Sequence, residues 1–588
     1  MSNRVRWRVV WVVAFLVVLF TVISVRLVSL QVGRHEEFLR YAVTNHAMEV
    51  TLYARRGDIL DCNGNVLATS VPLKNVYADL IKMREVLQKQ GKKKKVQKEC
   101  LSVGEIALQI APLLSMSQQE VAAKLSLPKG RVDLKKKVDM ASWNKIKAMN
   151  LPGIESEETF VRHYPEGHNV AHVVGYVDHN EVGREGVERS FEQELKGIDG
   201  CYISERDRKG GELRIYRSQN LPARNGHNVV LTIDQTIQHI VEEELDRAVL
   251  EYQPKGASTI VMRVKSGEIL AMANRPTYDP NNRGHLDWDS MRNRCITDTF
   301  EPGSTFKTIT IAAALNENVC TLETPIFCEN GSYTFGGKVL HDSSPHGALS
   351  VGQVYQKSSN IGFAKIGQKI GDAGLYSYIR KFGFGKTVLN GVLPGEQAGT
   401  LRPVKRWSKI SITRIPMGHE VAATPLQMVT AVNAVANGGG LMRPMLVKAI
   451  VDDNGKKWSE YNPRQLGQII RRDVAQDVTQ AMVSVVSSDG TAEKAKVPGF
   501  TVAGKTGTAN KWDQETHSYS KKRYLASFIG FLPAEDPQFV VLTMIDEPSG
   551  KKFYGGQVAA PIFAAMASRI VKHLDIAPRE DIMEVALR

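Results

Sequence analysis

The sequence predicts an α/β (α+β) protein in which a single membrane-crossing helix precedes two folded parts. Three observations carry the prediction. An uncharged apolar run, Val9 to Val25, lies near the start. From about Val50 to Pro222, short β-type runs alternate with charged helical segments. From His227 onward, β-type runs cluster at both ends of a long region whose middle has helical periodicity, the pattern of an antiparallel sheet built from both ends of a domain around an all-helical insertion. At 588 residues, 43% hydrophobic and 23% charged, the chain is globular in composition and too long for one ordinary domain.

The first element is the apolar run. Val9 to Val25 is 17 residues without a charge, and continuing past Arg26 to Val32 reaches the length a bilayer core requires. Arg4, Arg6 and Arg8 precede it, so the positive-inside rule assigns residues 1–8 to a cytoplasmic tail, residues 9–32 to the anchor and the rest to the outside. The run is longer than a signal-peptide core, and Arg26 and Leu27 stand where a small-x-small cleavage site would be, so an uncleaved anchor is expected. That placement bears on the net charge of +14: a domain outside the membrane meets no nucleic acid routinely, and anionic lipid or an acidic polymer is the expected neighbour. The runs Lys92 to Lys95 and Lys135 to Lys137 read as solvated faces.

Residues 33–226 form the second part, with helical patterns over Val103 to Leu114 and Gln118 to Leu125. They assemble no catalytic group and read as a spacer or docking domain. His168, His172 and His179 lack an H-E-x-x-H context, and the A-H-V-V-G-Y-V run reads as β-rich, so structural histidines are expected and no metal site. The six cysteines, Cys62, Cys100, Cys201, Cys295, Cys320 and Cys328, show no C-x-x-C pair. Outside the cell some could pair, with Cys320 and Cys328 nearest in sequence, but spacing does not give connectivity.

Residues 227–577 are the third part, and residues 578–588 a tail. Val229 to Ile233 is a β run, and Asp234 can cap a helix whose Ile237, Ile240, Val241, Leu245 and Ala248 make one apolar stripe. Ala257 to Val264 and Glu268 to Ala273 flank Lys265-Ser266-Gly267 as a hairpin. At the other end, Gly499 to Ala503 leads into Lys505, Tyr524 to Leu532 and Phe539 to Ile545 read as strands, and a helix spans about Val558 to Leu574 with Pro561 in its first turn. Between the ends, helices are expected over Thr305 to Leu315, Val351 to Gln368, Pro425 to Asn437 and Arg472 to Val486.

Three motifs in this part need one another. Ser304 and Lys307 form S-x-x-K at the mouth of an apolar helix, where i and i+3 share a face and the hydroxyl and amine can touch. A chain of this length contains roughly two S-x-x-K matches by chance, so that motif alone decides nothing. Ser358-Ser359-Asn360 adds S-x-N before an apolar run, and Lys505-Thr506-Gly507 adds K-T-G on a strand, all in one domain and in this order. Serine is a poor nucleophile at neutral pH, and an amine takes its proton only when burial or a neighbouring cation lowers the amine's pKa. Lys307, on an apolar helix and facing Lys505, has both influences available and is the expected base. Ser358 can relay a proton, and the Asn360 amide can orient Lys307 and hold a substrate amide. Lys505, Thr506 and Thr508 offer positive charge and hydroxyls to a substrate carboxylate, while Gly507 lets a substrate backbone lie along the strand edge. The backbone N–H groups of Ser304 and Thr508 are the expected oxyanion pair.

S-T-F-K, S-S-N and K-T-G-T together resemble the penicillin-binding proteins and serine β-lactamases. The stretches Arg55 to Ala68, Tyr164 to Gly175, Gly183 to Glu188 and Phe553 to Phe563 are similar to class B penicillin-binding proteins, so the resemblance covers nearly the whole chain. It implies a pedestal of the dimerisation type over 33–226 and a transpeptidase domain over 227–577. Within the class, M-R-N-R-C-I-T-D-T-F-E-P-G-S-T-F-K and Tyr278 to Asn282 are most similar to the septal enzyme of cell division. The implied activity is D,D-transpeptidation: Ser304 attacks the penultimate D-alanine carbonyl of a pentapeptide stem, D-alanine leaves, and an amine of a neighbouring stem resolves the acyl-enzyme. β-Lactams would acylate Ser304 and stay. The resemblance implies no cofactor, and it implies a membrane glycosyltransferase and other division proteins as partners, at the inner (cytoplasmic) membrane. Cys62 departs from the pattern, standing where the pedestal motif usually has arginine.

Rival readings are weaker. A β-lactamase or β-lactam sensor would need an added glutamate base or a cytoplasmic signalling segment; the helical region has no E-x-x-L-N, and eight residues precede the anchor. A silent divisome scaffold is disfavoured by the filled catalytic positions. The elongation enzyme shares fold and chemistry and differs only in pathway.

Overall fold

The computed structural model describes residues 3–38, 40, 47–92, 102–206, 212–282, 284, 287–513 and 515–579. A helix Asn3–Val28 runs on into a π-helical turn, Ser29–Gly33. Its stretch Arg4–Gly33 is long and apolar enough to cross a membrane. Beyond it the chain divides into two compact units that interleave in sequence. One contains Val71–Val161 and Gly197–Asn225; the other contains Arg56–Ser70, Arg162–Lys196 and Gly226–Arg588.

In the first unit, Ala47–Leu52, Gly200–Arg206 and Glu212–Leu221 form an antiparallel three-stranded sheet. A separate core of Ile106, Ile110, Val121, Leu134, Trp143 and Ile146 joins the helices Val103–Ile110, Gln118–Leu125 and Met140–Ala148 to the strand Arg131–Val138. Ser102 and Ser117 cap the first two helices by accepting the Glu105 and Glu120 N–H groups. Lys135, Lys136 and Lys137 are exposed on the strand; Lys93, Lys94, Lys95 and Cys100 lie outside the described residues.

The second unit is built on a five-stranded antiparallel sheet in the order Ile269–Arg275, Gly256–Arg263, Phe539–Asp546, Ser518–Leu532, Ala503–Asp513. As expected, both ends of the domain supply its strands. Every residue of Ile269–Arg275 is buried, which requires cover on both faces. Gln235–Tyr252, capped by Asp234, and Gly555–His573 are the long helices of this unit. The intervening region is mainly helical and carries short two-stranded ladders as well, including Pro325–Phe327 with Ala348–Ser350 and Ser332–Phe335 with Lys338–His341. Glu188, fully buried, pairs with Arg56 at 2.7 Å and Arg162 at 2.6 Å. Burial pushes its carboxyl up, but the two guanidiniums outweigh that and hold it below the ordinary value.

Several expectations need correction. The helix expected over Val351 to Gln368 breaks into Val351–Gln356 and Asn360–Ile370, because Ser358 takes a left-handed backbone (φ 59°) and Ser359 caps a new helix by accepting the Gly362 N–H. The A-H-V-V run is a short helix, Ala171–Val174, entered through left-handed Val170; a short apolar run has no period that separates strand from buried helix. The last helix starts at Gly555, so Pro561 is inside it rather than in its first turn. Cys320 and Cys328 are buried and unpaired. His172 is also buried, within 2.8 Å of the Ser290 carbonyl, and burial lowers its pKa to about 4.

Candidate active site

Ser304 sits in a 3-10 turn, Gly303–Phe306, immediately before the helix Lys307–Asn316. Pro302 and Gly303 set the turn: Gly303 adopts φ +54°, a left-handed conformation that glycine takes without cost. No side chain caps the following helix, which leaves the Ser304 hydroxyl free of that duty. The helix is buried along Lys307 to Leu315, and Lys307 itself is 0% exposed.

The Lys307 amine donates to the Ser358 carbonyl at 2.7 Å, to Ser358 Oγ at 3.1 Å and to Asn360 Oδ1 at 2.9 Å. Ser358 Oγ donates in turn to Ser304 Oγ at 3.1 Å. The direct Ser304–Lys307 contact foreseen from spacing is thus replaced by a two-step link through Ser358. The left-handed backbone at Ser358 costs about 1–3 kcal/mol and aims its hydroxyl at both partners. Asn360 Nδ2 donates to the His341 carbonyl at 3.1 Å, which fixes the amide so that its oxygen faces the lysine.

Lys505 is also fully buried, on the edge strand Ala503–Asp513. Its amine lies 3.4 Å from the Thr506 carbonyl and 5.7 Å from the centre of the Tyr355 ring. Burial lowers its pKa to about 7. Lys307 is held well below the ordinary lysine value, first by burial and then by the charge of Lys505, with Asp342 opposing. A pair of buried amines therefore shares the site, one able to be neutral and the other near its midpoint at neutral pH.

Thr506 Oγ1 lies 2.8 Å from Thr491 Oγ1, and Thr508 Oγ1 accepts the Gly555 N–H at 3.0 Å. Beside Gly555, Tyr524 stacks on Phe553 with ring centres 4.2 Å apart, and the Tyr554 ring lies tilted against Phe553 at 4.4 Å. Gly507 meets a packing need: a β-carbon there would lie 2.4 Å from Ser527 Oγ and 3.0 Å from Thr305 Cγ2. The missing side chain lets the Ser304 turn seat on the strand, next to the Thr508 backbone.

Sequence reasoning missed four neighbours. Asp342 accepts hydrogen bonds from Ser359 Oγ (2.6 Å) and the Asn360 and Ile361 N–H groups (2.5 and 3.0 Å). Tyr355 lies beneath Lys505, and Thr491 faces Thr506. Glu301 accepts the Glu420 N–H at 2.9 Å and the Tyr519 hydroxyl at 2.8 Å, and lies 2.9 Å from His419 Nδ1. Glu301 and Tyr355 each stand three residues before a motif serine, Ser304 and Ser358, and were local signals; Asp342 and Thr491 stand at no recognisable spacing from a motif. A cavity of about 400 Å³, lined by Phe300, Glu301, Ala509, Trp512 and Tyr519 among others, adjoins the Ser304 turn without including Ser304 or either lysine. Among the described residues, no group of three or more His, Cys, Asp or Glu could hold a metal ion.

The penicillin binding protein transpeptidase domain family matches residues 257–568, and the penicillin-binding protein dimerisation domain family matches residues 51–231. The chain is 34% identical to the stage V sporulation protein D of Bacillus subtilis over 99% of this chain and 88% of that one. It is 31% identical to the peptidoglycan D,D-transpeptidase FtsI of Escherichia coli over 98% of this chain and 93% of that one. Among solved structures it is similar to penicillin binding protein 3 of Mycobacterium tuberculosis complexed with aztreonam, with a TM-score of 0.69 and 27% identity over 91% of this chain and 99% of that one.

Proposed function

The chain belongs to the class B penicillin-binding proteins and is a peptidoglycan D,D-transpeptidase, and from that premise we propose the roles of its residues and its place in the cell. Ser304 is the nucleophile. Its proton passes through Ser358 Oγ to the neutral Lys307 amine as Oγ bonds to the penultimate D-alanine carbonyl of a stem pentapeptide. The Ser304 and Thr508 N–H groups take up the oxyanion, and Lys505, Thr506 and Thr508 receive the terminal carboxylate. As the amide breaks, the proton returns by the same path to the leaving D-alanine nitrogen. The amine of a neighbouring stem then attacks the acyl-serine and completes the cross-link. A β-lactam enters by the same attack, but its leaving nitrogen stays tethered, and the adduct persists.

The observation that carries this reading is the chain of contacts Ser304 Oγ, Ser358 Oγ, Lys307 Nζ, with the amine buried and its pKa depressed. The full chain in detergent, incubated with a fluorescent penicillin beside Ser304→Ala, tests it. A stable adduct mapped to Ser304 by peptide mass, and absent in the variant, is expected. Absence of label on folded protein points to a scaffold, and rapid loss of label to a β-lactamase.

The septal role is supported by the D-T-F-E-P-G-S-T-F-K and Y-D-P-N-N motifs. The elongation role is the alternative, and the likeness to a stage V sporulation protein supports a place in sporulation as a second reading. The apolar Arg4–Gly33 helix supports a single-pass anchor. Arg4, Arg6 and Arg8 support an inward N-terminus and a catalytic unit outside the membrane. Stem peptides, β-lactams, a membrane glycosyltransferase and other division proteins are then its partners.

A further inference from the structure

Two buried amines so close repel each other, and something must both oppose that repulsion and keep the S-x-N turn against Lys307. We propose that Asp342, outside all three motifs, is the positioning residue that does both: its carboxylate clamps Ser359, Asn360 and Ile361 and supplies the negative charge facing Lys307. The inference rests on the reading of Lys307 as the base.

The geometry is specific. Asp342 Oδ1 accepts the Asn360 and Ile361 N–H groups, and Oδ2 accepts the Ser359 hydroxyl at 2.6 Å. These N–H groups open the Asn360–Ile370 helix, where backbone donors lack helical partners and the helix dipole favours an anion. The clamp closes on the residue directly after left-handed Ser358 and on Asn360, the two residues that hold the Lys307 amine. Asp342 is itself tied to its loop through its N–H to the Gly331 carbonyl.

The charges around it are few. Lys307 faces Lys505 from the edge strand, the Phe363 ring at 5.4 Å, and the neutral Ser358 and Asn360. Near the clamp, Lys365 is paired with Glu329 at 2.5 Å, Cys328 Sγ lies 3.5 Å from Ser359 Oγ, and His341 gives its carbonyl to Asn360. Of the influences acting on Lys307, Asp342 is the one that favours the charged amine; burial and Lys505 disfavour it.

Charge and grip can be separated. In Asp342→Asn, Oδ1 keeps both N–H groups and the new amide can donate to the Ser359 oxygen, so the turn stays while the charge is lost. Asp342→Ala loses both. The readout is the second-order rate of acylation by a fluorescent penicillin from pH 5 to 9, on full chain in detergent, with thermal unfolding to verify the fold. Lys307 acts when neutral, and Asp342 raises its pKa, so removing the charge must move the acid limb to lower pH. For Asp342→Asn we expect that limb about one unit lower with the plateau within about threefold of wild type. For Asp342→Ala we expect a plateau about 100-fold lower, from displaced Ser358 and Asn360. An unshifted limb in Asp342→Asn overturns the proposal, as does wild-type acylation by folded Asp342→Ala. Lys307→Ala run alongside separates the two failures: if it acylates normally, the base assignment falls, whereas if it is inert and both Asp342 variants behave as wild type, only the role of Asp342 falls.

Discussion

At Lys505 the same burial that shapes Lys307 leaves a testable mark. A pKa of about 7 means that in the free protein its charge is present below pH 7 and lost as pH rises through that value. If this charge receives the substrate carboxylate, acylation by a carboxylate-bearing penicillin should fall on the basic side with a midpoint near pH 7. Lys505→Arg stays charged far above that range, so its profile should lack the fall below pH 9, while its plateau drops about tenfold because a planar guanidinium does not fit an amine's place. The same basic limb in both proteins would remove Lys505 as its source. Ser358 shows the other residue-level lesson. Its left-handed backbone, held between two helices, turns an ordinary hydroxyl into a link between Ser304 and Lys307.

At the scale of elements, the site is a contact between a turn and a strand. The Gly303–Phe306 turn lies on Ala503–Asp513, and the absent side chain of Gly507 sets how closely they approach. Gly507→Ala would place a β-carbon within 3.0 Å of Thr305 and closer still to Ser527. Ser527 can rotate away, but Thr305 yields either by giving up its hydroxyl bond to the Pro302 carbonyl (2.7 Å) or by moving the turn that carries Ser304. The expected stability loss is modest, about 1–3 kcal/mol by thermal or denaturant unfolding. If Ser304 is the residue acylated, acylation should fall far more, about 100-fold, because an ångström of misplacement at the attacking oxygen is enough. Acylation at the wild-type rate would show that the turn tolerates a wider spacing. The helix boundaries tell a related story: Pro425 to Asn437 and Arg472 to Val486 were legible because each has a long apolar stripe, and the structure ends them within one residue of expectation. The break at Ser358 was not legible, since the apolar period continues across it and the carboxylate that accepts the first N–H groups of the new helix is Asp342, sixteen residues upstream of Ser358.

For the whole molecule, the distinction that matters is pathway, because fold and chemistry are shared across the family. Depleting the chain from growing cells while following a fluorescent fusion separates the readings. A septal transpeptidase predicts filaments and a midcell signal. Rounded cells with a dispersed lateral signal would favour elongation, and normal growth with defective spores would favour the sporulation reading.

The sequence by itself determined the apolar span, the sheet supplied from both ends of the domain, and the three motifs. Each is carried by local composition, periodicity or fixed spacing. Tertiary structure decided how those motifs meet. The seating of the Ser304 turn on the Ala503–Asp513 strand, the route from Ser304 to Lys307 through Ser358, the burial that depresses the pKa of both lysines, and the placement of Asp342 and Thr491 all depend on segments far apart in the chain. Local propensity does not encode them, because they follow from which surfaces pack together and what that packing excludes from water.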